Sequence, residues 1–341
     1  MKDDNILEVS DLSVRFFLDE GTVNAVNGVS YSLPFGKSIG IVGESGCGKT
    51  VSSYAILRLL PKIGRIVSGE IKYRKKDGEV IDLLDLAPNG KEIRRIRGKE
   101  ISMIFQEPMS SFSPVRTICD QISEALVLHC DMNKNRAKER TIELLELVGI
   151  PKPSKRVNDY PFQFSGGMRQ RAMIAMALAR NPRVLIADEP TTALDVTLQA
   201  QILRLIRDMQ EKFNLSMVLI THDLGVVAHM VDYVYIMYLG TVVESGPVKE
   251  IFNNPQHPYT RALLKSIPRL SDQRGEKIFS IRGSVPSTYS LPKGCFFHPR
   301  CDYFMKDKCN KMIPDNVKVD EDHYVKCHLY TGEGKEDVGN V

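Results

Sequence analysis

Residues 37–60 read KSIGIVGESGCGKTVSSYAILRLL, and the fold turns on how that stretch divides. SIGIV is a short apolar run rich in β-branched side chains, the pattern of a buried parallel strand. SSYAILRLL has apolar residues at helical spacing. Between them lies Gly43-x4-Gly48-Lys49-Thr50, the phosphate-loop pattern in its strand–loop–helix context. Gly43, Gly46 and Gly48 let the backbone wrap tightly, with N–H groups turned inward toward phosphate oxygens. The helix that the loop opens adds its N-terminal dipole to the attraction for anions. Lys49 brings a positive charge to β/γ-phosphates, and the Thr50 hydroxyl is placed to ligate Mg2+.

A second apolar run, in RVLIADEPTTALD (183–195), ends in Asp188-Glu189. Two adjacent acids at the end of a buried strand are costly unless they bind something. With a phosphate loop upstream, Asp188 is placed to hold the Mg2+ shell and Glu189 to polarise an attacking water. A strand that exits into an acidic turn is the plain alternative. A third strand, in SMVLITHDL (216–224), ends in Thr221-His222-Asp223. His222 could bond a γ-phosphate or hold the water, although a lone His after a strand is more often structural. Ser165-Gly166-Gly167 precedes a strongly helical run, so an N-cap Ser and exposed N–H groups make a second anion site. Strands with helical crossovers imply an α/β core with a largely parallel sheet and ligands at its C-terminal edge.

The composition, 43% hydrophobic and 26% charged over 341 residues, fits a large folded domain plus an appendage. The formal charge of +4 is small, and basic residues alternate with acids, so a solvated surface is expected rather than a nucleic-acid stripe. The polar N-terminus reads as no signal peptide, and no apolar run approaches the ~18 residues needed to span a bilayer. A cytoplasmic protein able to dock on a membrane component is expected. Cys47, Cys119 and Cys130 stand singly and read as free thiols.

Taken in order, these motifs resemble the ATP-binding cassette (ABC) ATPases over residues ~6–255. FSGGMRQR is similar to the family's signature, LIADEP to its Walker B strand, TALD to its D-loop and THD to its His switch. MIFQEP carries Gln106 at the Q-loop position, and LSVRFF places Phe16 where the family stacks an aromatic on adenine, although either adjacent Phe could be core. The resemblance implies a P-loop NTPase cassette, residues 1–255, with a helical subdomain at about 110–175. It implies that Gly43, Glu44, Ser45, Gly46, Cys47, Gly48, Lys49 and Thr50 hold ATP, with Mg2+ served by Thr50, Gln106 and Asp188. Glu189 would be the general base, and His222 would stabilise the transition state. Ser165, Gly166 and Gly167 would contact the nucleotide of a partner cassette. Phe164 and Met168 depart from the commonest Leu and Gln of the signature, which leaves the anion site intact and the contacts around it open. The helical subdomain would receive a transmembrane partner.

Beyond that, HPYTRALLKSIPRL (257–270) and a tail, residues 256–341, with cysteines spaced C-x5-C-x7-C-x17-C resemble the ATPase subunits of bacterial dipeptide/oligopeptide importers, which have nickel-importing relatives. Four thiolates at Cys295, Cys301, Cys309 and Cys327 suffice for one closed metal site. In a cytosolic chain a metal is favoured over disulfides. The gaps are longer than zinc knuckles use. Iron–sulfur clusters are also held by four cysteines. His298, His323 and His328 could substitute as zinc ligands, and reduced thiols without metal remain open. The resemblance points to a 4Fe-4S cluster, which would staple a segment poor in large apolar residues.

The expected function is therefore ATP hydrolysis that powers peptide import. The implied partners are a second, related cassette, two permeases and, indirectly, an extracytoplasmic peptide-binding protein, with no nucleic acid. The expected location is the cytoplasmic face of the membrane. Alternatives are the same role in a nickel importer or a soluble non-transport ABC ATPase. A non-catalytic cassette is disfavoured by intact Lys49, Asp188, Glu189 and His222.

Overall fold

The computed structural model describes residues 1–107, 111–192, 194–267 and 280–331. In chain order the strands are β1 (Asn5–Leu18), β2 (Gly21–Pro34), β3 (Ser38–Val42), β4 (Gly64–Arg74), β5 (Val80–Asp82), β6 (Ile101–Ile104), β7 (Val184–Asp188), β8 (Ser216–Thr221), β9 (Tyr233–Tyr238), β10 (Thr241–Pro247), β11 (Val317–Asp320) and β12 (His323–Val325). They fall into two compact units, which the chain visits alternately.

The first unit comprises residues 1–7, 32–38 and 72–220. Its parallel strands run β6-β7-β8, with Ile186 paired to Met103 on one side and to Val218 on the other. Every residue of β6 and β7 is buried, as expected of apolar runs covered on both faces. The helices Ile118–Cys130, Lys134–Leu147, Pro153–Arg156 and Gly166–Leu178 fill the helical stretch. Thr117 and Asp120 close a reciprocal capping box at the first of them, and Asn133 caps the second. The helix Val196–Phe213 buries Ile202, Leu205, Ile206 and Met209 at spacings of three and four, which is one helical face. Residues 108–110 and Ala193, on which the start of the helical subdomain and part of the D-loop fall, lie outside the described residues.

The second unit comprises residues 8–31, 39–71 and 221–341. Here β3 runs parallel to β9, and β9 turns back into β10 through Leu239-Gly240, both at positive φ. That two-residue turn matches the right-handed twist of the flanking strands. The tail then extends the sheet. Val325 pairs with Glu244 and Tyr324 with Ser245, and β11 follows antiparallel at the edge. The sequence reads this tail as a loop-rich appendage, whereas 317–325 is sheet. Strands of three and four residues carry too little alternation to be seen, and edge pairing selects them, β12 on β10 and β11 on β12. The connection expected at 271–294 lies partly outside the described residues, at 271–279.

Candidate nucleotide-binding site

In the second unit the phosphate loop has the wrapped form that its sequence requires. A Cβ on Gly43 would run into the Met237 carbonyl, and one on Gly48, at φ 95°, into that of Ala25. Lys49 is buried, and its Nζ donates to the Gly43 carbonyl at 2.8 Å and to that of Glu44 at 3.1 Å. The ammonium therefore sits inside the loop, where β/γ-phosphate oxygens can replace the carbonyls. Ser45 and Gly46 are exposed at the tip, Thr50 is half-buried, and Cys47 is buried, which raises its thiol pKa. Phe16 lies half-buried against Gly64, while its neighbour Phe17 is exposed under the Arg65 guanidinium. Phe16 is thus the less exposed of the two rings. His222 follows β8 and is exposed. Asp223 behind it caps the next helix, accepting from Gly225 N–H at 2.8 Å and Val226 N–H at 3.2 Å.

In the first unit Asp188 is fully buried at the end of β7. Glu189, next in the chain, takes φ 44°, a costly conformation for a residue with a side chain. Its N–H donates to the Ile220 carbonyl at 2.8 Å. Its Oε2 accepts from Gln106 Nε2 at 3.2 Å and from Thr192 Oγ1 at 2.8 Å. The structure therefore joins two predicted residues, Gln106 and Glu189. It adds Thr192, the first residue of TALD, which the sequence marks only as part of that motif. Ser165 caps the signature helix by accepting from Met168 N–H at 3.3 Å. Ser165 and Gly166 are exposed, whereas a Cβ on Gly167 would press on the Leu198 side chain. Phe164, one of the two departures, is buried and serves packing.

The tail cysteines are largely withdrawn from water: Cys301, Cys309 and Cys327 are buried, and Cys295 is half-buried. Burial pushes the Cys301 thiol up to about 11 and that of Cys327 up to about 12, and neighbouring thiols add to both shifts. Even so, among the described residues no group of three or more His, Cys, Asp or Glu gathers closely enough to hold a metal ion. Each of the three histidines that the sequence offers as zinc ligands has a partner for at least one ring nitrogen. His323 Nε2 bonds Glu244 Oε1 at 2.8 Å, His328 Nε2 the Met312 carbonyl at 2.8 Å and His298 Nδ1 the Cys295 carbonyl at 2.8 Å. The metal-binding extension stands as a proposal.

A strand–phosphate loop–helix, a carboxylate pair at a strand end and a capped Gly-Gly helix start define an ATP-binding cassette. Residues 26–192 match the ABC transporter family, and residues 243–309 match the oligopeptide/dipeptide transporter C-terminal region. The chain is 50% identical over 325 residues to the oligopeptide transport ATP-binding protein OppD of Bacillus subtilis, covering 95% of this chain and 88% of OppD. It is 49% identical to the dipeptide transport ATP-binding protein DppD of the same organism, covering 96% and 95% of the two chains. Among solved structures it resembles the dimeric post-hydrolysis state of the ATP-binding cassette MJ0796 bound to ADP and Pi. The TM-score is 0.62 at 25% identity, over 71% of this chain and 98% of that one. The chain belongs to the ABC transporter ATP-binding proteins, in the branch carrying the oligopeptide/dipeptide transporter C-terminal region.

Proposed function

We propose that this chain hydrolyses ATP to power the import of di- and oligopeptides. The observation that carries the reading is one chain bearing both an intact phosphate loop, with Lys49 aimed into it, and the C-terminal region matched over 243–309. Lys49 and the loop N–H groups would hold the β/γ-phosphates, with Glu44, Ser45 and Cys47 lining the turn and Phe16 against the adenine. The buried carboxylate of Asp188 and the hydroxyl of Thr50 are hard oxygen donors that suit Mg2+, which would neutralise charge on the phosphates. Gln106 would sense the metal and γ-phosphate. Glu189 would take the proton of the attacking water, and His222 would stabilise the charge that develops on the γ-phosphate. Ser165, Gly166 and Gly167 would meet the nucleotide of a second, non-identical cassette.

Among the described residues no helix is long and apolar enough to cross a membrane. Coupling to import would therefore go through two permease subunits at the cytoplasmic face, fed by a peptide-binding protein outside. For the tail, four cysteines in one segment, three buried and one half-buried, supply the thiolates that a 4Fe-4S cluster would take. Such a cluster would staple the tail and take no part in hydrolysis. Purification with the permeases in a lipid bilayer, followed by peptide-stimulated ATPase and uptake assays, tests the main reading. A complex that hydrolyses ATP without moving peptide would overturn it. Anaerobic iron and sulfide analysis with a visible spectrum tests the cluster, and a colourless protein with stoichiometric zinc would overturn that part.

A further inference from the structure

The C-terminal tail reaches the phosphate loop through Arg300 and Tyr259. Arg300 is buried between Cys295 and Cys301 in the chain, and its guanidinium takes the Glu44 carboxylate with two bonds, Nη1 to Oε2 at 2.8 Å and Nη2 to Oε1 at 3.2 Å. This fork-to-fork geometry fixes direction as well as charge. Arg300 Nη1 also lies 3.4 Å from the Tyr238 hydroxyl, and Nε donates to the Arg282 carbonyl at 3.2 Å. The Glu44 main chain is held too. Its N–H donates to the hydroxyl of fully buried Tyr259 at 3.1 Å, and its carbonyl accepts from Lys49 Nζ at 3.1 Å. Phe297 packs its ring at 5.3 Å from Tyr238 and 5.4 Å from Tyr259, so the residues that hold Glu44 share one aromatic cluster with the tail. Glu44 is thus gripped by side chain, N–H and carbonyl, and the group on its carbonyl side is the loop lysine.

We infer that Arg300 and Tyr259 are positioning residues for the phosphate loop. The tail holds the loop in the shape that receives a triphosphate and neutralises the loop's one carboxylate. The inference rests on the ATPase reading above and adds to it a function for the C-terminal region, namely control of nucleotide affinity. Without Arg300, the Glu44 carboxylate would stand unpaired beside an anionic ligand. An uncompensated charge beside a phosphate, at an effective dielectric near 20 and after solvent screening, corresponds to roughly tenfold in affinity.

The test uses the full-length chain with a fluorescent ATP analogue and Mg2+, alongside steady-state hydrolysis and iron content. Arg300→Ala should raise the Kd and KM for ATP about tenfold, with a far smaller change in kcat and with iron content retained. Glu44→Gln combined with Arg300→Ala should recover most of the affinity, because the unpaired charge is gone. Arg300→Lys, which keeps the charge but loses the fork, should fall between. Tyr259→Phe, which keeps the ring and loses the acceptor, should weaken binding about threefold. Should Arg300→Ala fail to fold, the Lys and Phe variants decide by the same criteria. Single variants at Arg300 and Tyr259 that bind ATP within twofold of wild type would overturn the inference, as would a Kd that rises only in step with lost iron. A wild type that binds no ATP would remove the ATPase reading and this inference together, whereas equal binding by wild type and variants removes the inference alone.

Discussion

Glu244 is the residue on which attachment of the tail strands should depend most. It lies in β10, and both it and His323 are 0% exposed, with His323 Nε2 2.8 Å from Glu244 Oε1. The same carboxylate accepts from Gln256 N–H at 2.7 Å and His257 N–H at 2.9 Å. Glu244→Ala leaves those three donors without their acceptor. Each orphaned buried donor costs about 1–3 kcal/mol. Water entering the vacated volume recovers part of that, so a net loss of about 3–5 kcal/mol is expected. At about 2.1 cal/mol/K of unfolding entropy per residue, a chain of 341 residues should lose about 4–7 °C in Tm. Differential scanning calorimetry measures the shift, and hydrogen exchange should show β11 and β12 losing protection before β3 and β9. Glu244→Gln keeps one acceptor oxygen and should cost about half as much. A Glu244→Ala protein melting within 1 °C of wild type, with tail amides still protected, would refute the reasoning.

Glu189→Gln should bind ATP with near wild-type affinity while hydrolysis falls by about 10²-fold or more, read by phosphate release against nucleotide binding. Gly43→Ala should abolish nucleotide binding measured by equilibrium dialysis, because its Cβ would meet the Met237 carbonyl and the loop must open to admit it. Burial holds His257 at a pKa of about 4, below its ordinary 6.5. The native side chain stays neutral while the unfolded chain takes up a proton, so stability is full above about pH 6.5 and falls as pH drops toward 4, by about 3 kcal/mol in all. Urea titrations across that window should show the slope, and His257→Asn, which keeps an acceptor for the Tyr259 N–H, should flatten it.

The hydrophobic runs at 38–42, 184–188 and 216–221 are legible as buried strands because their side chains are apolar on both faces. The motifs after them are legible because a loop that wraps phosphate needs its glycines at fixed spacing. Thr192 stands in TALD, but its bond to Glu189 is not legible there, because it exists only once Glu189 adopts φ 44° and its carboxylate meets the hydroxyl. The short strands β11 and β12 are illegible for a different reason: no local periodicity marks them, and they exist by edge pairing, β12 on β10 and β11 on β12.

By itself, then, the sequence carried the motifs of the nucleotide site, written in residue types at short, fixed intervals, and four cysteines within one tail segment, at longer and uneven ones. Only the tertiary structure decided what the tail is attached to. Glu244 meets His323 across 79 residues and Glu44 meets Arg300 across 256, and such pairs exist only once the folded sheet brings distant segments together. A charge alone in a sequence has no partner. Burial, which makes an unpaired charge costly, is what couples the phosphate loop to the tail.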